Sequence, residues 1–175
     1  LVRRSETPTV GICMGEIGTP TRLLTGKYGA PFTYATFHSE RTLAPGQLSF
    51  FEMKEVYGYD RINADTEVFG VIADPIGHSY SPRIHNASFR ACGMNRVYLP
   101  FRVSRQHLKS FLKDCHRHDI RGLSVTIPHK ETILRSLSKI DQAAEQIGAI
   151  NTIVFQGERE IVGYNTDQRA AMASL

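Results

Sequence analysis

Short apolar runs that end in turn residues, each followed by a helix-period stripe, constrain this sequence more than any other feature. Val68 to Ala73 is a β-branched and apolar run stopped by Asp74-Pro75, which reads as a buried strand. Ser81 to Cys92 reads as a helix: Ser81 is a natural N-cap, Pro82 suits the first turn and Gly93 stands just past the end. Arg96 to Val103 is a second strand. Arg105 to His116 is a second helix, with Leu108, Phe111, Leu112 and Cys115 on one stripe. Gly122 to Ile127 is a strand stopped by Pro128. Glu131 to Ser138 and Asp141 to Ile147 are short helices, Ala149 to Phe155 and Glu160 to Tyr164 are strands around Gly157, and Asp167 to Leu175 opens a further helix. Alternation of this kind predicts an α/β layered domain with a mostly parallel sheet.

Residues before this block show the same alternation in a weaker form. Thr9 to Met14 and Phe32 to Phe37 read as strands; Thr19 to Tyr28, with Pro20 in its first turn, and Leu48 to Tyr57 read as helices. Two βα units cannot close a core, because parallel strands need neighbours on both sides. The expectation is a partial βα-barrel tail over 1–60, poorly packed at Phe32, Phe50 and Phe51, a polar linker over 61–67, and the α/β domain over 68–175. The chain starts at Leu1 and stops inside a helix signal, so it is read as part of a longer protein.

Composition narrows the function. The 175 residues are 41% hydrophobic and 22% charged, a globular balance. No apolar run approaches the roughly 18–20 residues of a membrane helix, and no secretory signal pattern stands at the start. Cys13, Cys92 and Cys115 are odd in number and lack a CxxC spacing, which fits a reducing compartment and argues against a disulfide framework. Residues 68–175 carry 14 basic and 9 acidic side chains, against 7 and 8 before them. That excess suits an anionic small molecule; it is too dilute for a nucleic-acid footprint.

Chemistry-bearing residues cluster at the ends of the β segments, where ligands gather in open α/β sheets. Ser79 and Ser81 present two hydroxyls beside a helix start, suited to a carboxylate, although Ser81 as a plain cap explains them too. Thr126 and Lys130 follow another strand. Lys130 is expected at a helix start, where the dipole disfavours an ammonium and favours a proton donor; an ordinary surface lysine is the alternative. Asn151, and Asn165 to Asp167, are either turn formers or site residues; a lysine and an aspartate meeting there would form a proton-handling pair. In a βα barrel Arg22 and the Ala44-Pro45-Gly46-Gln47 turn would share the catalytic face, with Arg22 able to hold a carboxylate. His78 with His85, and His116 with His118, lack a third ligand at a usual spacing, so no metal is expected. No GxGxxG occurs, so no dinucleotide loop is expected in this chain.

These clusters together resemble a known family. Pro75-Ile76-Gly77-His78-Ser79-Tyr80-Ser81-Pro82 with His85-Asn86, Val125-Thr126-Ile127-Pro128-His129-Lys130, Gly148-Ala149-Ile150-Asn151-Thr152, and Gly163-Tyr164-Asn165-Thr166-Asp167 resemble the substrate-binding domain of shikimate dehydrogenase. Met14-Gly15-Glu16, Thr21-Arg22-Leu23, Tyr28-Gly29-Ala30 and Ala44-Pro45-Gly46-Gln47 resemble the C-terminal end of type I 3-dehydroquinate dehydratase. The order matches the bifunctional enzymes of plants and some bacteria.

The resemblance implies that the parent protein dehydrates 3-dehydroquinate and reduces 3-dehydroshikimate to shikimate. NADP would be held by a domain outside this chain, and no metal would be used. Lys130 would be the general acid and Asp167 its partner. Ser79 and Ser81 would bind the substrate carboxylate, and Thr126, Asn151 and Asp167 the ring hydroxyls. Arg22 would hold the dehydroquinate carboxylate, Gln47 would bind substrate on a closing loop, and Met14 would line that pocket. Ser124 stands where many bacterial relatives have Asn, and Leu43 where many dehydratases have Ser. The isolated chain is expected to bind substrate without turnover; a quinate-type dehydrogenase acting on another polyhydroxy acid is the alternative. The expected location is cytoplasmic, or plastid in a plant, with no nucleic-acid or membrane partner.

Overall fold

The computed structural model describes residues 2–38, 40, 43–77, 79–157 and 160–174; His78 and Leu175 lie outside the described residues. The described strands are β1 (Glu67–Ala73), β2 (Arg96–Arg102), β3 (Ile120–Val125), β4 (Lys139–Ile140), β5 (Thr152–Gln156) and β6 (Glu160–Tyr164). The helices are α1 (Thr19–Leu24), α2 (Ser81–Ala91), α3 (Leu108–Arg117), α4 (Gln142–Ile147) and α5 (Asp167–Ala173). The six strands are ordered β2-β1-β3-β5-β6-β4, the α/β architecture expected from the alternation. The chain forms two compact units, Leu1–Val68 with Gly77–Phe101, and Phe69–Ile76 with Arg102–Leu175.

In the second unit the core is the β-branched content of the strands. Val71, Ile72, Leu123, Val125 and Ile153 are buried, with Leu108, Leu112 and Cys115 of the α3 stripe. β5 runs antiparallel to β3, in the register Gly122↔Val154 and Ser124↔Thr152, and antiparallel to β6, with Thr152↔Tyr164. β4 pairs parallel to β6; this two-residue strand carries no periodic signal in the sequence. Helices start and stop close to their signals. Asp141 caps α4 by accepting from the Ala143 N–H at 3.2 Å, and Gly148 (φ +72°) ends it. The expected helix over Glu131 to Ser138 is instead a 3-10 segment, Thr132–Ser136. The expected helix over Arg105 to His116 opens with a 3-10 turn, Arg105–His107, before α3.

The first unit corrects several expectations. Neither Thr9 to Met14 nor Phe32 to Phe37 forms a strand; the pairing there is an isolated parallel bridge, Thr36↔Ser49. Extended segments without neighbouring strands have no ladder to join. The expected helix over Leu48 to Tyr57 is shorter: Ser49 is in the bridge, and the helical part ends in a π-helix, Glu52–Val56. Phe32, Phe50 and Phe51 are 51%, 60% and 67% exposed, as expected, while Leu23, Leu24 and Met53 are buried in a small core. Buried Lys27 ties this segment to the start of β1: its Nζ donates to the Ala64 and Thr66 carbonyls at 2.8 and 2.7 Å. At the edge strand β2, buried Asn86 of α2 acts as a missing neighbour. Its Nδ2 donates to the Tyr98 carbonyl (2.9 Å) and its Oδ1 accepts from the Tyr98 N–H (2.8 Å). Asn86→Ala leaves both backbone groups unpaired and should cost about 2–4 kcal/mol, read as a lower urea midpoint at unchanged slope.

His129 fixes the turn that follows β3. Its ring is fully buried, Nε2 donates to the Val103 carbonyl at 2.7 Å and Nδ1 has no partner among the described residues. Burial holds its pKa below the ordinary histidine value, partly opposed by the hydrogen bond to Val103. Because the folded value is lowered, protonation favours the unfolded chain. Its effect on stability is therefore absent above about pH 6.5 and grows as the pH falls below it. The urea midpoint should drop between pH 7.5 and pH 5.5, and His129→Gln should flatten that drop; equal slopes would refute a neutral buried ring.

Candidate active site

Three strand ends of the second unit meet on one edge because β5 is reversed. Its first residue lies beside the last residues of β3 and β6, through Ser124↔Thr152 and Thr152↔Tyr164. The backbone just outside the strands is stitched across: Val125 N–H to the Asn151 carbonyl (2.7 Å), Asn151 N–H to the Tyr164 carbonyl (3.0 Å) and Ile150 N–H to the Lys130 carbonyl (2.8 Å). Lys130, Asn151 and Asp167 are thereby delivered to one place. Lys130 Nζ donates to Asp167 Oδ2 at 2.8 Å, across 37 positions of sequence. Asn151 Nδ2 donates to Asp167 Oδ1 at 2.7 Å and to Thr166 Oγ1 at 2.9 Å. The Asp167 N–H donates to the Oδ1 of buried Asn165 at 3.0 Å, and Asn165 Nδ2 donates to the Ala149 carbonyl at 2.9 Å.

The ion pair sits at the surface, with the Lys130 and Asp167 side chains 38% and 62% exposed, so a small molecule reaches it from solvent. Its bonds to Lys130 first and Asn151 second hold the Asp167 carboxyl below the usual carboxylate range. A paired ammonium of this kind can give a proton to an oxygen gaining charge and take one from a hydroxyl losing it. The expected dipole at Lys130 does not exist: the following 3-10 segment begins two residues later and spans five residues, too short to build a macrodipole. The charge facing Lys130 is the carboxylate of Asp167, the first residue of α5. Thr126 is half-buried at the end of β3, its N–H on the Ile72 carbonyl (3.2 Å) and its carbonyl on the His129 N–H (2.9 Å).

In the first unit, Ser81 is the first helical residue of α2, not its cap; Tyr80 occupies the cap position with no side-chain bond. Ser79 does the capping work, accepting from the Ser81 N–H at 3.3 Å. The Ser81 hydroxyl has no partner among the described residues. Arg22 of α1 is 3% exposed; its Nε is unpartnered and its Nη2 lies 3.6 Å from Met14 Sδ. Among the described residues this guanidinium faces no carboxylate. Met14 is itself 67% exposed. Gln47 folds back on its own turn, Oε1 accepting from the Leu43 N–H at 3.2 Å. Gly46 (φ +75°) packs so closely on Gly15 that a Cβ would lie 2.0 Å from the Gly15 carbonyl oxygen. Sequence reasoning missed Thr152 and Asn165 as supports; their place in the quoted motifs was the available signal.

Residues 71–153 match the family model described as shikimate dehydrogenase substrate binding domain, and residues 2–64 match that of type I 3-dehydroquinase. The two matches follow one another along the chain. It is 39% identical over 176 residues to a chloroplastic bifunctional 3-dehydroquinate dehydratase/shikimate dehydrogenase of Arabidopsis thaliana, an alignment covering all of this chain and 29% of that protein. It is 44% identical over 106 residues to the shikimate dehydrogenase (NADP(+)) of Methanobrevibacter smithii, covering 61% of this chain and 37% of that one. The shikimate 5-dehydrogenase of Listeria monocytogenes, solved with shikimate and NAD, is similar at a TM-score of 0.62 and 39% identity, over 66% of this chain and 39% of that one. The chain thus spans less than half the length of these relatives. Lys130 lies within the matched residues 71–153 and Asp167 beyond them.

Among the described residues no cluster of His, Cys, Asp or Glu is able to hold a metal ion, and no helix is long and apolar enough to cross a membrane. The sequence contains no GxGxxG. The solution check on the pair is a carboxyl titration followed by ¹³C NMR. Since the folded Asp167 value is lowered, the pair contributes to stability above the unfolded value of about 3.9 and that contribution is lost as the pH falls through the folded one. Lys130→Met should move the Asp167 titration to higher pH; an unmoved titration would mean the pair does not form in solution.

Proposed function

We propose that the parent protein is a bifunctional shikimate-pathway enzyme, dehydrating 3-dehydroquinate and interconverting 3-dehydroshikimate and shikimate. In this reading residues 1–60 are the C-terminal part of the dehydratase, 61–67 the linker and 68–175 the substrate-binding domain of the dehydrogenase. The observation that carries it is the 2.8 Å contact between Lys130 and Asp167, a proton-handling pair beyond the strand ends of an α/β sheet. Lys130 protonates the substrate oxygen as the ketone is reduced and removes that proton in reverse, while Asp167 holds the ammonium in place. Thr126, Asn151 and Asp167 are the proposed partners of the ring hydroxyls. NADP, proposed to be held by a domain outside this chain, supplies hydride.

The substrate carboxylate is assigned to Ser79 and Ser81, supported by the Ser81 hydroxyl beside the first turn of α2, which has no partner among the described residues. For the dehydratase half, the buried, carboxylate-free guanidinium of Arg22 supports its role in holding dehydroquinate. Gln47 is proposed to reach substrate when its turn closes, with Met14 lining the pocket. A quinate-type activity is the second reading; comparing shikimate with quinate on the full-length enzyme separates them.

In that enzyme Lys130→Ala should lower kcat by about 10²-fold or more, with a smaller effect on KM. Near-wild-type kcat would remove Lys130 from the mechanism. Ser79→Ala combined with Ser81→Ala should mainly raise KM; an unchanged KM would place the carboxylate elsewhere. The chain alone is expected to bind shikimate without oxidising it in the presence of NADP.

A further inference from the structure

Every hydrogen-bonding position of the Asn151 amide is in use. Besides the two Nδ2 donations, Oδ1 accepts from the Thr166 N–H at 3.1 Å and from Thr152 Oγ1 at 2.9 Å. A backbone N–H can only donate and a carboxylate can only accept. The amide oxygen must therefore face Thr166 and Thr152, and its NH₂ must face Asp167. The two Asp167 oxygens are then divided: Oδ1 takes Asn151 and Oδ2 takes Lys130. Thr152 is the first residue of β5 and half-buried, its backbone fixed in register with Ser124 and Tyr164.

We propose that Thr152 is a positioning residue for the proton-transfer pair: its hydroxyl holds the Asn151 amide in the plane from which Nδ2 meets Asp167 Oδ1. Without that bond the amide pivots on its contact with Thr166, and the carboxylate is free to turn away from Lys130. Lys130 is the charged group facing Asp167 among the described residues; Asn151, Asn165 and Thr166 are neutral. The inference rests on reading Lys130 and Asp167 as the acid-base pair.

The test uses Thr152→Val, which keeps the β-branched shape, with Thr152→Ala as a second deletion and Thr152→Ser as rescue, in the full-length enzyme. Both deletions should lower kcat about 3–10-fold, the scale of one hydrogen bond, with KM within about twofold. They should also move the acid limb of the kcat profile and the ¹³C titration of the Asp167 carboxyl to higher pH; Thr152→Ser should restore both. A raised KM with an unmoved acid limb would assign the hydroxyl to substrate and overturn the proposal. An unmoved Asp167 titration in both deletions would overturn it as well, and this readout needs no substrate. If Lys130→Ala abolishes turnover while the Thr152 variants are silent, this inference alone falls; if Lys130→Ala stays active, the acid-base reading falls first.

Discussion

The contact between Lys130 and Asp167 depends on the reversal of one strand. If β5 ran parallel to β3 and β6, its first residue would lie at the far end of the sheet and Asn151 would reach neither partner. The antiparallel register Ser124↔Thr152 and Thr152↔Tyr164 brings a strand start between two strand ends, and three backbone bonds outside the ladder lock the turns that carry the charges. Side-chain geometry then follows from the scaffold. Both charges are partly exposed, so the attraction itself is modest in water; the sheet, not the ion pair, supplies the order.

Around this pair the polar groups form a chain in which each member fixes the next. Buried Asn165 holds the Asp167 backbone, Asn151 holds one carboxylate oxygen and Lys130 the other. His129, buried next to Lys130 in sequence, pins the turn from beneath through Val103. Fixing the backbone of one residue costs about 1–2 kcal/mol; the bonds on the turn that carries Lys130 meet that cost within the fold. The arrangement fits a site that must present a proton at a set point rather than merely attract an anion.

In the first unit the strand pattern of the sequence is not expressed as a ladder. Arg22 is buried with no partner for its Nε among the described residues, an expensive state for a guanidinium, while Phe50 and Phe51 are exposed. Lys27, by contrast, is engaged with two carbonyls of the segment leading into β1.

The sequence by itself determined the alternation of strands and helices in 68–175, most helix boundaries and the motif residues, because apolar periodicity, Pro, Gly and capping side chains act over a few neighbours. It misled where a short-range signal needed a long-range partner. Thr9 to Met14 and Phe32 to Phe37 look like strands but have no ladder to join. Ser81 looks like a cap, yet Ser79 accepts the bond. Lys130 looks like a helix start, yet no α-helix follows. Only the tertiary structure decided that β5 is reversed, that β4 exists, that Asn86 substitutes for an edge strand, and that an ammonium and a carboxylate 37 residues apart lie at 2.8 Å. These depend on strand register and on the satisfaction of buried backbone groups, which are set by contacts between distant residues and leave no periodic trace in the chain.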